Sequence, residues 1–119
     1  MKIMNLTINK KDYELKFGLD FINFLDKKYY IEQDGFKLGQ GLTYVVLQAE
    51  LGNPLILLDL IMAATVTSAK VKIDDVKVFV ENEADINELM NEFLVKLEET
   101  PITRFTMSKL GLVSKPKKK

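Results

Sequence analysis

The side chains best placed to do chemistry in this chain are two adjacent carboxylate pairs, Asp74 with Asp75 and Glu98 with Glu99. Ser and Thr hydroxyls add to these in the stretches TVTSAK and TPITRFTMS. Paired carboxylates can hold a hard cation or divide the work of general acid and general base. Here neither pair lies in a loop of alternating oxygen ligands, and neither has a neighbour that would orient it. They read as helix-start acids and a solvated face. A hydroxyl nucleophile needs a base, and the 119 residues contain no His and no Cys. Arg104, the lone arginine, could clamp an anion but reads as exposed or helix-paired. The sequence therefore predicts no enzyme, no metal site and no cofactor.

Charge is unevenly placed. The chain has 17 basic and 17 acidic residues, and four of the basic ones are Lys115, Lys117, Lys118 and Lys119. Without them 13 basic face 17 acidic residues, so the body carries about −4. Between Asp74 and Glu99 there are nine acids and only Lys77 and Lys96 to oppose them. That stretch should repel nucleic acid. The four lysines are weak candidates for electrostatic contacts; on a flexible end they add salt-sensitive attraction and solubility.

The elements that would position these groups follow from hydrophobic spacing. Ile3, Leu6 and Ile8, then Tyr13, Leu15 and Phe17 alternating with charged residues, predict two strands joined through the polar turn NKKD. Gly18 breaks the alternation. Phe21, Ile22, Phe24, Leu25 and Tyr29 then follow helical spacing, with Asp20 in the first turn. This helix is the expected lid for the hairpin's apolar face, because two strands alone are marginal. QDGFKLGQG, residues 33–41, has three glycines in nine residues and reads as a loop. It lacks the order and backing strand of a phosphate cradle.

A second helix is predicted from Leu42 to Leu51. Gly52, Asn53 and Pro54 form a stop, a cap and a restart. The third helix, Pro54 to Thr65, is apolar almost all round and should be central. Its run PLILLDLIMAATV is broken by Asp59 and too short to span a membrane. Residues 71–82 are ambiguous: Val76, Val78 and Val80 alternate like a strand, whereas Ile73, Val76, Phe79 and Val80 fit a helical face. Periodicity alone puts the strand slightly ahead. Ile86, Leu89, Met90, Phe93, Leu94 and Leu97 predict a helix capped by Asp85 with Glu88. Thr100 and Pro101 open a last short helix to about Leu110.

Residues 1–112 thus read as one α+β domain, an N-terminal antiparallel β-hairpin on a mainly α-helical body of about five helices. Residues 113–119 read as a disordered lysine-rich tail. The N-terminal residues have no apolar core of an export signal, so a cytoplasmic protein is expected.

The order of these features resembles the tail assembly chaperones of long-tailed phages and prophages of Gram-positive bacteria. The resemblance runs from Leu6 to about Leu110. It is carried by the Tyr13 to Phe17 strand, the Phe21 to Tyr29 helix, the Gly39 and Gly41 loop, the Gly52, Asn53, Pro54 restart and the acidic helix ending at Pro101. It implies a non-catalytic protein of the host cytoplasm, absent from the mature virion. Such a protein would bind the tape measure protein and keep it soluble while tail tube protein assembles around it. The resemblance also implies a helix over Asp74 to Asn82, and production in two lengths by frameshifting, for which the codons of Lys117 to Lys119 are a candidate site. Self-association is expected, since many weakly linked copies would cover a long client. The alternative reading is a small nucleic-acid-binding regulator of a mobile element acting through the lysine tail; membrane partners are not expected.

Overall fold

A computed structural model describes residues 4–67, 71–109 and 111 of the protein. The lysine tail with Lys115, Lys117, Lys118 and Lys119 lies outside the described residues. So do Ile3 and Leu110.

The chain opens with β1 (Met4–Ile8) and β2 (Lys11–Leu15), paired antiparallel with Leu6 opposite Tyr13 and Ile8 opposite Lys11. Asn9 and Lys10 both have positive φ, 51° and 67°, as a tight two-residue hairpin turn requires. One face, with Ile8, Tyr13 and Leu15, is buried, and the other carries Asn5, Thr7, Asp12 and Glu14. The Thr7 hydroxyl donates to Asp12 across that outer face. Each fully buried Leu or Ile contributes about 1.5–3 kcal/mol relative to exposure, so the period of two fixes which face turns inward.

Gly18 precedes α1 (Leu19–Lys28), with extended backbone (φ −104°, ψ −152°) and its carbonyl accepting from Ile22 N–H. Next come β3 (Tyr30–Gln33) and β4 (Phe36–Gly39), then α2 (Gly41–Glu50) and α3 (Ile56–Ala64). The chain continues through α4 (Ile73–Glu81), α5 (Ile86–Glu99) and α6 (Pro101–Lys109). The architecture is α+β, a hairpin on a helical body.

α2 ends in a double-bonded turn. Gly52 has φ +82° and donates to the Ala49 carbonyl, while Asn53 N–H donates to the Gln48 carbonyl. The Asn53 side chain accepts from Leu55 N–H at 3.1 Å. Pro54 stands in the turn ahead of α3, where Leu57 N–H reaches the Pro54 carbonyl. Asp85 caps α5, its carboxylate accepting from Glu88 N–H at 3.0 Å. Pro101 is the first residue of α6, where its missing N–H leaves no bond unmade.

α3 lies at the centre, packed on α1, α2 and α4, with Ile56, Leu57, Leu60, Ile61, Ala63 and Ala64 buried. Its last carbonyls also hold the hairpin: Lys16 N–H donates to the Ala64 carbonyl at 2.9 Å. Phe17 meets Phe21 of α1 and Phe93 of α5 edge-on, with ring centroids 5.0 and 6.0 Å away.

Three expectations are corrected. Residues 73–81 are helical, so the strand favoured by valine alternation is wrong and the helix implied by family resemblance is right. Val76 is fully buried, whereas Val78 is 56% exposed. A strand would have put both on one face; a helix separates them. Second, α1 is not the first hairpin's sole cover, although its Phe21 meets Phe17. It packs on α2, α3 and β4, while α4 lies along β1. Third, residues 33–41 are not merely a loop: they hold a turn and a strand, the second half of another hairpin.

Candidate interaction surface

The second hairpin differs from everything around it. Asp34 and Gly35, with φ of 53° and 82°, make its two-residue turn. Ile31 pairs with Leu38, Gln33 with Phe36, and Glu32 with Lys37. Residues directly opposite one another in an antiparallel pair share a face. One face therefore presents Ile31, Phe36 and Leu38, which are 50%, 70% and 42% exposed. The other carries Tyr30, Glu32 and Lys37, with the Lys37 ammonium 4.9 Å from the Tyr30 ring centroid. Neither strand has a second partner among the described residues, so each presents an open edge.

The base of this ribbon is held firmly. Tyr29, between α1 and β3, stacks on Tyr44 of α2 with centroids 4.1 Å apart. Its carbonyl accepts from Gln40 N–H. Asp26 accepts from Gly41 N–H at 2.8 Å. The two strands leave so close to α1 that a Cβ on Gly41 would lie 2.3 Å from the Leu25 carbonyl carbon, and one on Gly39 2.4 Å from the Asp26 carboxyl carbon. Only glycine lets the chain return this close to the helix.

Asp59 of α3 completes the anchor. It is buried, and its carboxylate receives the Lys28 ammonium and the Tyr29 hydroxyl, each at 2.5 Å. Partial burial, then the hydrogen bond to Asp59 and its negative charge, raise the Tyr29 hydroxyl well above the ordinary phenol range. Tyr29 therefore serves as a proton donor at neutral pH and as nothing more reactive. Beside this network α1, α3 and α4 leave a cleft of about 450 Å³, lined by Phe24, Lys28, Leu55, Met62, Ile73 and Lys77 among others.

The residues that could have done chemistry are not gathered. Asp74 and Asp75 sit in the first turn of α4, where Asp75 accepts from the Asn9 side chain. Glu98 and Glu99 end α5, and Glu99 pairs with Lys96 at 3.9 Å. Arg104 reaches the Glu98 carbonyl from α6. Among the described residues no group of three or more acids could hold a metal ion. Gly52, Asn53 and Pro54 share the turn between α2 and α3, while Gly18, Asp85 and Pro101 each stand at the start of a different helix. Ile31, Phe36 and Leu38 escaped sequence reasoning, although Asp-Gly flanked by YIEQ and FKLG is a strong hairpin signal.

A family model described as phage tail assembly chaperone protein matches residues 5–111. The chain belongs to this family. No curated protein and no solved structure shows a significant match. The family match begins at the second residue of β1 and ends just beyond α6, so it covers the second hairpin, all the described helices and the first hairpin but for Met4. Among the described residues no helix is long and apolar enough to cross a membrane.

Proposed function

We propose that this tail assembly chaperone binds the tape measure protein and keeps it dissolved in the host cytoplasm until tail tube protein polymerises around it, catalysing no reaction and leaving no copy in the mature virion. The observation that carries this reading is the exposed Ile31, Phe36 and Leu38 face on a ribbon with a rigid base. A holding chaperone needs apolar surface to cover the apolar surface of its client. It also needs charge to keep the complex in solution, and the body's net of about −4 supplies that. Open strand edges on the same ribbon give backbone donors and acceptors to a partner or to a further copy of the chaperone.

The test is co-expression with the tape measure protein encoded in the same genome. The soluble fraction of the client should rise severalfold with the chaperone present. An equally insoluble client with and without it would remove the reading.

A further inference from the structure

We propose that the cleft between α1, α3 and α4 is a docking groove for an amphipathic helix that carries acidic residues beside its apolar stripe. The inference deepens the chaperone reading, on which it rests for the identity of the client; the groove itself is argued from its lining.

Three features specify the occupant. The first is the floor. Phe24, Leu58 and Met62 are half-buried along it, and Leu55 and Ile73 stand at its lips, 68% and 41% exposed. An opening of about 450 Å³ admits a few side chains from one element and not a folded body. The flexible thioether of Met62 lets such a floor adapt to different apolar residues.

The second is charge. The ionisable groups lining the cleft are Lys28, Lys77, Tyr29 and Asp59. Asp59 is already engaged by Lys28 and Tyr29, so it offers no repulsion that is not compensated. Lys77 is exposed and has no ion pair or hydrogen bond among the described residues. An ammonium has three donors. Asp59 occupies one on Lys28, leaving two for a second carboxylate. Asp59 balances the charge of Lys28, so Lys77 supplies the cleft's unbalanced charge, a positive one on a body that is otherwise net acidic. Asp74 and Glu81 of α4 lie outside the lining.

The third is backbone chemistry. The walls are three helices whose peptide groups are bonded internally, so an extended strand laid in the cleft would find no ladder to join. A helix brings its own hydrogen bonds and needs only side-chain contacts. The groove also runs into the ribbon: Tyr29 lines the cleft and the next residue begins β3. A client helix seated here would lie against the base of the exposed apolar ribbon.

The experiment uses the full chain and a fluorescein-labelled synthetic peptide of about eighteen residues, five helical turns, with Leu on one face and Glu flanking it. A second peptide carries Lys at every Glu position. Anisotropy titrations should show the glutamate peptide binding, and the lysine peptide binding at least about tenfold more weakly. Lys77→Glu should cost the glutamate peptide about tenfold, while Lys11→Glu, exposed on the first hairpin and outside the cleft lining, leaves it unchanged. Lys77→Gln, which adds no new charge, serves as the second variant, and thermal melts establish that each protein is folded. No binding, equal binding of the two peptides, or folded Lys77 variants that bind like the parent would each overturn the groove. The same variants are co-expressed with the tape measure protein. If the peptide behaves as expected but Lys77→Glu still solubilises the client fully, the client's place in the groove is overturned and the chaperone reading survives. If the parent protein itself fails to solubilise the client, the chaperone reading falls, and selective binding of the glutamate peptide still upholds the groove.

Discussion

The two hairpins are built alike and used differently. Each is a pair of short antiparallel strands around a two-residue turn with positive φ at both positions, Asn9-Lys10 in one and Asp34-Gly35 in the other. Each places apolar residues on one face. In the first, Ile8, Tyr13 and Leu15 are buried against the body; in the second, every strand residue is exposed. Strand chemistry does not explain the contrast, because Ile31 and Leu38 are as apolar as Ile8 and Leu15. What differs is the company: α4 lies along β1 and the end of α3 bonds to Lys16, whereas β3 and β4 are fastened only at their base through Tyr29, Asp26 and the two glycines. A hairpin with a free apolar face is held here by contacts at its base, which leaves that face uncovered.

The sharpest way to break the comparison is to truncate matched leucines. Leu15→Ala should lower the unfolding free energy by about 3 kcal/mol, because it empties a packed site. Leu38→Ser should stay within about 0.5 kcal/mol of the parent in urea unfolding, yet reduce the soluble yield of co-expressed tape measure protein. Equal losses of stability at the two sites would mean that the second hairpin also packs against the body. Gly41→Ala should come next, at about 2 kcal/mol, since its Cβ would collide with the Leu25 backbone and the ribbon's base would have to shift.

Below Gly41→Ala comes Tyr29→Phe, which removes the hydrogen bond to Asp59 and should cost about 1 kcal/mol at neutral pH. Its pH dependence gives it a signature. The Tyr29 hydroxyl is raised on folding, so its contribution is complete below the ordinary phenol pKa of about 10 and is lost as pH rises past that value. The stability gap between parent and variant should therefore narrow above about pH 10. A gap that stays constant through the alkaline range would show that Tyr29 acts by packing on Tyr44 alone.

Much of this architecture is legible along the chain, because the deciding interactions are local. The spacing of Leu89, Phe93 and Leu97 marks one helical face, and all three are buried. Alternation of Tyr13, Leu15 and Phe17 identifies the inward face of the first hairpin. The Asp34-Gly35 turn was equally local, but three glycines in nine residues suggest a loop when their purposes are not separated: one serves a turn, and two permit close approach to α1. That approach is set by residues far back in sequence and has no local signature.

Local pattern, then, determined the helices other than α4, the first hairpin and the absence of His and Cys chemistry, because propensity, capping and periodicity act within a few turns of chain. Tertiary structure decided the rest. It chose helix over strand for residues 73–81, which pack on α3 with Val76 fully buried and have no strand paired with them among the described residues. It brought Lys28 and Tyr29 to Asp59, about thirty residues away, and so turned an acid in an apolar helix into an anchor. It also left one hairpin covered and the other bare, because burial depends on which elements converge and two similar strands carry no mark of their eventual neighbours.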